Sequence, residues 1–587
     1  MTQRTSTICF GLLLVIFVLH ALYLGGIAED AFISLRYARH LAEGMGLVWN
    51  AGEPPVEGYT NFLWVLLCAG ATAIGLDPLR FALAAGICAS LVAMVYGYRF
   101  AREILQAGPG GSLLPPLMLA VSGPFAAWAS AGMETGLFTM LILAGAFHTV
   151  RHRQSNRIGD LYAASILLFF ATLTRPEGLL VFAVLFAWEA FFPGAPGPGR
   201  SRIRPVAIYA ILIIIYTLWR FNYFGDLLPM TFYAKTGGGW RQYARGALYA
   251  LFFGLYFVVP LAPGLIGPFH LVFSRLRTGT LPVPRFAIAL CLAVTGWYTL
   301  YIIVVGGDYM AMYRFFVPLL PFLYLVFAAG ILVLANAPAF RHWRFRLPAA
   351  LVTFAVLATV IQSTPLEADL FVKPPRQHGT WRGIQTERWH VARLTLIARF
   401  FDSYAPPGTD IATPAIGVIS CFTSMNVYGF FGLTDPHIAR QSVRTPGATI
   451  GWPGHEKEDF AYLFSKLPTF IMFSRALTQD PLPFPDHASF SLSAQLGGAE
   501  AEPGDEASRL DEFLRKHYDL TAVRLIDREN GESGYFTFLE LKEEYRGRRL
   551  PTYHHQVVTG RDQCRCRSRC ITARSSRRRS ASGSSFS

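Results

Sequence analysis

The sequence predicts a polytopic α-helical membrane protein of about eleven spans, followed by a small α/β domain. Three observations carry that reading. Of 587 residues, 52% are hydrophobic and only 15% charged, against roughly a quarter charged in an ordinary soluble domain. Apolar runs approaching the length a ~30 Å hydrocarbon core requires recur up to residue 363 and then stop. The loops between them alternate between arginine-rich and acid-bearing, as membrane insertion demands.

The apolar runs fall at 7–27, 80–98, 113–130, 136–150, 161–173, 178–193, 205–221, 247–273, 286–305, 315–336 and 347–363. No small-residue cleavage site follows the first, which reads as a retained span. Arginines precede the first run (Arg4) and follow the second (Arg99, Arg102), fourth (Arg151, Arg153, Arg157) and sixth (Arg200, Arg202, Arg204). They also separate the eighth from the ninth (Arg275, Arg277, Arg285) and the tenth from the eleventh (Arg341, Arg344, Arg346). Under the positive-inside rule these loops are cytoplasmic, with the N-terminus inside and the C-terminal domain outside. A further run, 59–76, breaks the alternation if it crosses. It therefore reads as interfacial or re-entrant, with twelve or thirteen spans as the alternative layout.

The formal net charge of +14 does not signal nucleic-acid binding. The last 27 residues hold eight Arg and one Asp, or +7, and the other +7 sits mostly in short loops between spans. This tail, 561–587, is Arg/Ser-rich and reads as disordered. Cys9, Cys68, Cys88 and Cys291 lie in apolar runs, Cys421 stands alone, and Cys564, Cys566 and Cys570 lie in the tail. No spacing resembles a zinc site or a disulfide framework. The predicted domains are thus a transmembrane domain at 1–363, a soluble extracytoplasmic domain at 364–560, and the tail. In the soluble domain, "WRGIQTERWHVARLTLIARFF" has helical periodicity, while "DIATPAIGVISCF", "TFIMFS" and "YFTFLELK" read as strands.

Polar chemistry concentrates in the outer loops: "AEDAF", "VEGYTNF", "AGMETG", "TRPEG", "YFGDLLPMTFYAK" and "VGGDYMAMYR". Glu29 and Asp30 stand at the exit of the first span, ahead of a short amphipathic helix at 33–43. One reading makes them solvated acids capping that helix, whose cations, Arg36 among them, meet lipid phosphates. The other joins them to Arg175 and Glu177, Asp226 and Lys235, and Asp308 and Arg314 in one polar chamber. Ionisable groups at membrane edges are costly unless paired or lining water. Taken singly, each is equally a structural ion pair.

Such a chamber suits a membrane glycosyltransferase. A sugar on a polyprenyl phosphate needs an apolar groove for its tail and cations for its phosphate, with Lys235, Arg175, Arg314 and Arg36 the candidates. The acceptor hydroxyl needs a carboxylate to take its proton. A divalent metal is the other use for an acid pair, with Glu29 and Asp30 its ligands if one is bound. No dense ligand cluster demands it.

The motifs resemble the GT-C class of glycosyltransferases, and within it the bacterial branch related to the terminal cell-wall arabinofuranosyltransferases. That branch shows an Asp-Asp-Ala-Phe/Tyr-Ile-Ser-x-Arg-Tyr start, matched here by Glu29 to Tyr37 with Glu in the first place. "VEGYTNFLW", "TRPEGLL", "GDLLPMTFYAK", "GGDYMAMYRFFVPLLP", "LTDPHIAR" and "GHEK" look similar, over about residues 20–470. The resemblance implies a catalytic or metal-binding carboxylate at Asp30, with Glu29 the variant member of the pair. It also implies acceptor contacts, or closure over the site, from Asp435 and His437 and from His455, Glu456 and Lys457. The function it implies is transfer of arabinofuranose or a related sugar from a polyprenyl-phosphate donor. The acceptor is an extracytoplasmic glycan, lipopolysaccharide or protein, and the setting a bacterial inner membrane. A lipid or sugar-lipid transporter is the alternative, disfavoured because the acids sit at span ends on one side rather than at mid-membrane. A non-catalytic scaffold explains the soluble domain but not the acid-bearing loops.

Overall fold

The computed structural model describes residues 1–192, 199–265, 283–336, 346–362, 364, 380–443, 454–490, 505–526 and 533–546. The basic tail with its three cysteines lies outside them, as do Arg275, Arg277, Arg341 and Arg344 of the arginine-rich loops. The chain divides into two compact units. The first holds Met1–Val391 and Gly429–Asp459; the second holds Ala392–Tyr428, Phe460–Ser491 and the described residues from 505 on. Asp435, His437 and the Gly454–Lys457 stretch, grouped by sequence with the soluble domain, are therefore part of the helical unit.

The helical unit is that of a multi-pass membrane protein. Among the described residues six helices are long and apolar enough to cross a bilayer: Gln3–Leu24, Pro78–Ile104, Ile203–Phe224, Gly239–Leu265, Pro284–Val305 and Ala311–Asn336. A seventh comes from Gly111–Val121 and Gly123–Ala129, which meet at 65°. The predicted straight run at 113–130 is thus bent, at a Ser122-Gly123-Pro124 sequence that interrupts the helical ladder. Shorter apolar helices lie at Phe62–Ala73, Ile158–Thr174, Gly178–Phe191 and Arg346–Ile361.

Burial separates the helices by role. The first, α1 (Gln3–Leu24), leaves Leu12, Val15, Ile16, Leu19 and Leu22 exposed, an apolar stripe that only lipid satisfies. The last of the six is buried almost throughout from Leu320 to Ile331 and forms the middle of the unit. Small residues let neighbours close up. A Cβ on Gly136 would lie 2.6 Å from Ser90 Oγ and 2.7 Å from Gly86 O.

The elements that carry the site are few. α2 (Ala31–Ala42) follows α1, and α3 (Phe62–Ala73) follows the "VEGYTN" loop. α4 (Thr135–Ser155) begins beside Glu134. α5 (Ile158–Thr174) and α6 (Gly178–Phe191) flank Arg175-Pro176-Glu177. α7 (Met230–Lys235) and α8 (Gly239–Phe253) follow the "GDLLP" loop. A 3-10 segment, Ala311–Leu319, carries Arg314.

The second unit holds a five-stranded sheet of order β2-β1-β3-β5-β4. Its strands are β1 (Asp410–Thr413), β2 (Asn426–Gly429), β3 (Phe470–Ile471), β4 (Tyr518–Ile526) and β5 (Ser533–Leu541). β1 and β3 run parallel; β3–β5 and β4–β5 are antiparallel. Phe400 and Phe401 pack on Phe536 and Phe538, and Phe470 joins them. Three predicted strands are present at β1, β3 and β5. The second half of "DIATPAIGVISCF" is instead a helix, Ile416–Phe422. A seven-residue apolar run has no periodicity that separates buried strand from buried helix. Here Thr413 Oγ1 accepts the Ala415 amide just before the helix starts.

Candidate active site

Asp30 occupies the N-cap position of α2, yet its carboxylate makes no capping hydrogen bond. It faces Arg314 instead, Oδ2 lying 3.6 Å from Nη1, and keeps 23% of its side-chain surface exposed. The capping role read from the sequence is therefore replaced by an ion pair with a distant segment. The turn before α4 supports the acid pair from behind. The Ala28 amide donates to Ala131 O at 3.1 Å, and Gly132 (φ +76°) leaves room for Ala31.

Arg314 is held on its other side by Asp308, whose Oδ2 accepts from Nε at 2.6 Å. Asp308 is buried, and its Oδ1 also accepts from the amides of Tyr309 and Met310. The backbone reaching Arg314 is strained: Met312 (φ 60°, ψ 27°) and Tyr313 (φ 48°, ψ 51°) are consecutive left-handed residues without being glycine. Strain of that kind persists only where surrounding packing over-determines it, and it clusters at functional sites.

Arg175 forms the second half. Its Nη1 donates to Glu134 at 2.9 Å and its Nη2 to Glu177 at 2.8 Å. Glu134 also accepts from Asn61 at 2.8 Å, and Asn61 exchanges hydrogen bonds with Ser34 on α2. A buried polar chain thus runs from α2 through the starts of α3 and α4 to the α5–α6 turn. The Phe315 ring joins the halves, with the guanidiniums of Arg175 and Arg314 each 5.1 Å from its centroid.

Lys235, at the end of α7, completes the group. Its ammonium is partly buried and has no hydrogen-bond or ion-pair partner among the described residues. It feels the charges of Asp30, Arg314, Asp308 and Arg175 together. Burial pushes its ammonium below the usual lysine range, with Asp30 and Asp308 acting the other way. Tyr309 lies in the same field: burial, then the charges of Asp30, Glu387 and Asp308, hold its phenol in the protonated form. Glu29 donates its backbone amide to Glu387 at 2.9 Å.

Other predicted residues have different partners. Arg36 is 2% exposed. It donates to Trp49 O at 2.6 Å and Asn50 Oδ1 at 2.9 Å and lies over the Trp49 ring. It is a buried brace for the 44–50 loop and not a lipid-facing cation, because α2 is packed on nearly every side. Asp226 pairs with Arg440 at 2.6 Å. Asp435 caps the short helix Pro436–Ala439, and His437 meets Asp459 at 2.9 Å. Glu456 pairs with Arg245 at 2.6 Å. Lys457 donates to the carbonyls of Tyr233 and Ala439, and His455 packs edge-on against Tyr309.

Sequence reading missed Glu134 as a ligand of Arg175, and also Ser34, Asn61 and Arg245. Glu134 carried the only signal, an acid at a span mouth. It missed a further buried pair, Glu57 with Arg220 at 2.6 Å, where burial lifts the carboxyl to about 7 against the pull of Arg220. Among the described residues no group of three or more His, Cys, Asp or Glu is arranged to hold a metal ion. Asp30 and Asp308 meet across a guanidinium that already supplies the positive charge.

Residues 381–537 match a domain of unknown function (DUF8728). Two curated relatives are both named terminal β-(1→2)-arabinofuranosyltransferase. That of Mycobacterium tuberculosis is 29% identical over 246 residues, 38% of this chain and 37% of the relative. That of Corynebacterium glutamicum is 28% identical over 323 residues, 48% of this chain and 45% of the relative. The match thus spans less than half the length of these relatives, and it bears out the resemblance carried by the acid-bearing motifs. Among solved structures, the archaeal oligosaccharyltransferase AglB from Archaeoglobus fulgidus, in complex with an inhibitory peptide and a dolichol-phosphate, aligns with TM-score 0.49. Its identity is 12%, over 92% of this chain and 75% of that one. ArnT from Cupriavidus metallidurans, bound to undecaprenyl phosphate, aligns with TM-score 0.46 at 12% identity, over 72% and 86%.

Proposed function

We propose that the chain is a GT-C-type glycosyltransferase that moves a sugar from a polyprenyl-phosphate donor to an extracytoplasmic glycan, lipopolysaccharide or protein acceptor. The observation that carries it is the convergence of Asp30, Asp308, Arg314, Arg175 and Lys235, drawn from separate loops, on one place. The names of the two curated relatives support arabinofuranose as the sugar.

In this reading Asp30 is the base. It is partly exposed, and Arg314 is already committed to Asp308, so its carboxylate is open to an acceptor hydroxyl. As the acceptor oxygen bonds to the anomeric carbon, the bond from that carbon to the phosphate oxygen breaks. The hydroxyl proton passes to Asp30, and the electron pair leaves with the lipid phosphate. Lys235, which has no carboxylate partner among the described residues, receives that phosphate. Arg175 and Arg314 shape the field around it through their carboxylates. Glu29 assists Asp30 electrostatically or orients the acceptor.

The functional division that goes with this reading is a transmembrane domain at 1–363, a soluble extracytoplasmic domain at 364–560 and a basic tail. Eleven crossings of a bacterial inner membrane, N-terminus inside, put the acid-bearing loops and the soluble domain outside. The alternating loop arginines support that layout.

The test is transfer by the purified full chain from synthetic polyprenyl-phosphate sugars. Asp30→Asn is expected to keep its thermal unfolding profile and to lose at least about 100-fold in turnover, the range for removing a general base. Near-normal turnover by the variant overturns the assignment. Movement of a lipid-linked sugar across liposomes without transfer would identify a transporter instead.

A further inference from the structure

The Gly454–Lys457 stretch reaches the two sides of the proposed site without supplying the charges assigned to the reaction. Glu456 accepts Arg245 Nη1 at 2.6 Å and Nη2 at 3.4 Å, while Arg245 Nε donates to Gly306 O at 2.9 Å. Gly306 and Gly307, with φ of +89° and +74°, form the turn that delivers Asp308. On the other side, Lys457 Nζ donates to Tyr233 O at 2.7 Å and to Ala439 O at 3.0 Å. Gly454 lies against the Lys235 stem, where a Cβ would stand 3.0 Å from Lys235 Cε.

Each tie ends two residues short of a group of the proposed site, Lys235 on one side and Asp308, the partner of Arg314, on the other. Tyr233 precedes Lys235 by two positions, and Gly306 precedes Asp308 by two. Lys457 is buried and the Glu456 side chain is only 9% exposed, so their charges are directed inward rather than offered to solvent. One tie thus ends within α7 and the other on the Gly306–Gly307 turn.

We propose that Glu456 and Lys457 are positioning residues: through Arg245 and Tyr233 they set the separation between Lys235 and the Asp30–Asp308 pair. One stretch thereby registers the phosphate-holding cation against the proton-accepting side. The inference rests on the roles given above to Lys235 and Asp30.

Three measurements on the full-length protein in detergent test it: donor KM and kcat, the rate at which an amine-acylating reagent modifies Lys235 (by peptide mass spectrometry), and thermal unfolding. Lys457→Met is expected to raise donor KM by about tenfold, within the roughly 100-fold that a 1 Å misplacement of a reacting group can cost. It should also quicken acylation of Lys235 while unfolding shifts little, and Lys457→Arg should recover part of both. Glu456→Gln is expected to lower kcat more than it changes KM. Unchanged KM and unchanged acylation in Lys457→Met overturn the proposal, as does a loss that merely tracks unfolding. Should Lys457→Met not fold, Gly454→Ala keeps both ties and adds one methyl against Lys235. The same KM rise is then required, and its absence counts against the idea. If the wild-type chain transfers no sugar, the functional reading fails, whereas the acylation rates still decide whether this stretch positions Lys235.

Discussion

Arg314 and Arg175 spend their charges on carboxylates, with Asp308 at 2.6 Å and Glu134 and Glu177 at 2.9 and 2.8 Å. Lys235 spends its charge on none of the described residues, which makes its protonation a variable of the reaction. Burial lowers its pKa below the ordinary 10.5, with Asp30 and Asp308 pulling upward and Arg314 and Arg175 downward. A lowered pKa means the ammonium is lost at a pH below that of a free lysine. Donor affinity should therefore weaken on the alkaline side before pH 10.5, while Lys235→Arg should hold its affinity to higher pH. A donor KM that stays flat through that range in the wild type would contradict Lys235 as the phosphate cation. At this scale Asp30, Asp308, Arg314, Arg175 and Lys235 were legible because ionisable residues at span mouths demand an explanation. Arg36 misled for a physical reason. Helical spacing placed it on a polar face, but the 44–50 loop folds back over that face and supplies Trp49 O and Asn50. Asn61 and Ser34 are uncharged and carry no such signal.

Between elements, the approach of α4 to the helix Pro78–Arg99 fixes where Glu134 stands. Gly136 begins this close contact two residues after Glu134, with Ser90 Oγ and Gly86 O where its Cβ would go. Gly136→Ala therefore cannot be absorbed by a side-chain rotation alone, because one of the two obstacles is backbone. Overpacking of this kind costs about 1–3 kcal/mol, and it should lower the thermal midpoint while loosening Glu134 from Arg175. Gly11→Ala on α1 has nothing within 4 Å and should leave the midpoint unmoved or slightly raised. Equal midpoints for the two variants would show that the crossing is not tight. Most long helices were legible as apolar runs, since composition and length suffice for them. The bend at Ser122–Gly123 and the helix at Ile416–Phe422 were not. The first follows from Ser122-Gly123-Pro124 inside an otherwise apolar run, and the second depends on tertiary partners that an apolar run does not encode.

For the molecule as a whole, the open quantity is how many of the apolar helices cross. Length and hydropathy together qualify six, or seven with the bent pair, whereas the loop arginines call for eleven. The difference lies in three short helices and in α4, whose 21 residues are long enough but not apolar enough. α6 has 14 residues, about 21 Å at 1.5 Å per residue, and α3 has 12, about 18 Å, against a core of about 30 Å. For α5 and α6 the arginine alternation calls for two crossings, joined at the buried Arg175–Glu177 turn. For α3 it requires none, and α3 is the shortest. The two layouts part at Ile74, which is 76% exposed just past the end of α3. If α3 lies in the interface, Ile74 is on the same side of the membrane as Glu43; if α3 crosses, it is on the opposite side. Single cysteines at Glu43, Ile74 and Arg157, each in a chain otherwise free of cysteine, can be labelled in intact inner-membrane vesicles of known orientation with a membrane-impermeant maleimide. Positions 43 and 74 should react from the extracytoplasmic face and 157 from the cytoplasmic face. Reaction of position 74 from the cytoplasmic face, opposite position 43, would make α3 a true span and move Arg99 and Arg102 outside, with Arg157 moving alongside them. The eleven-span layout would then give way to one of twelve or thirteen.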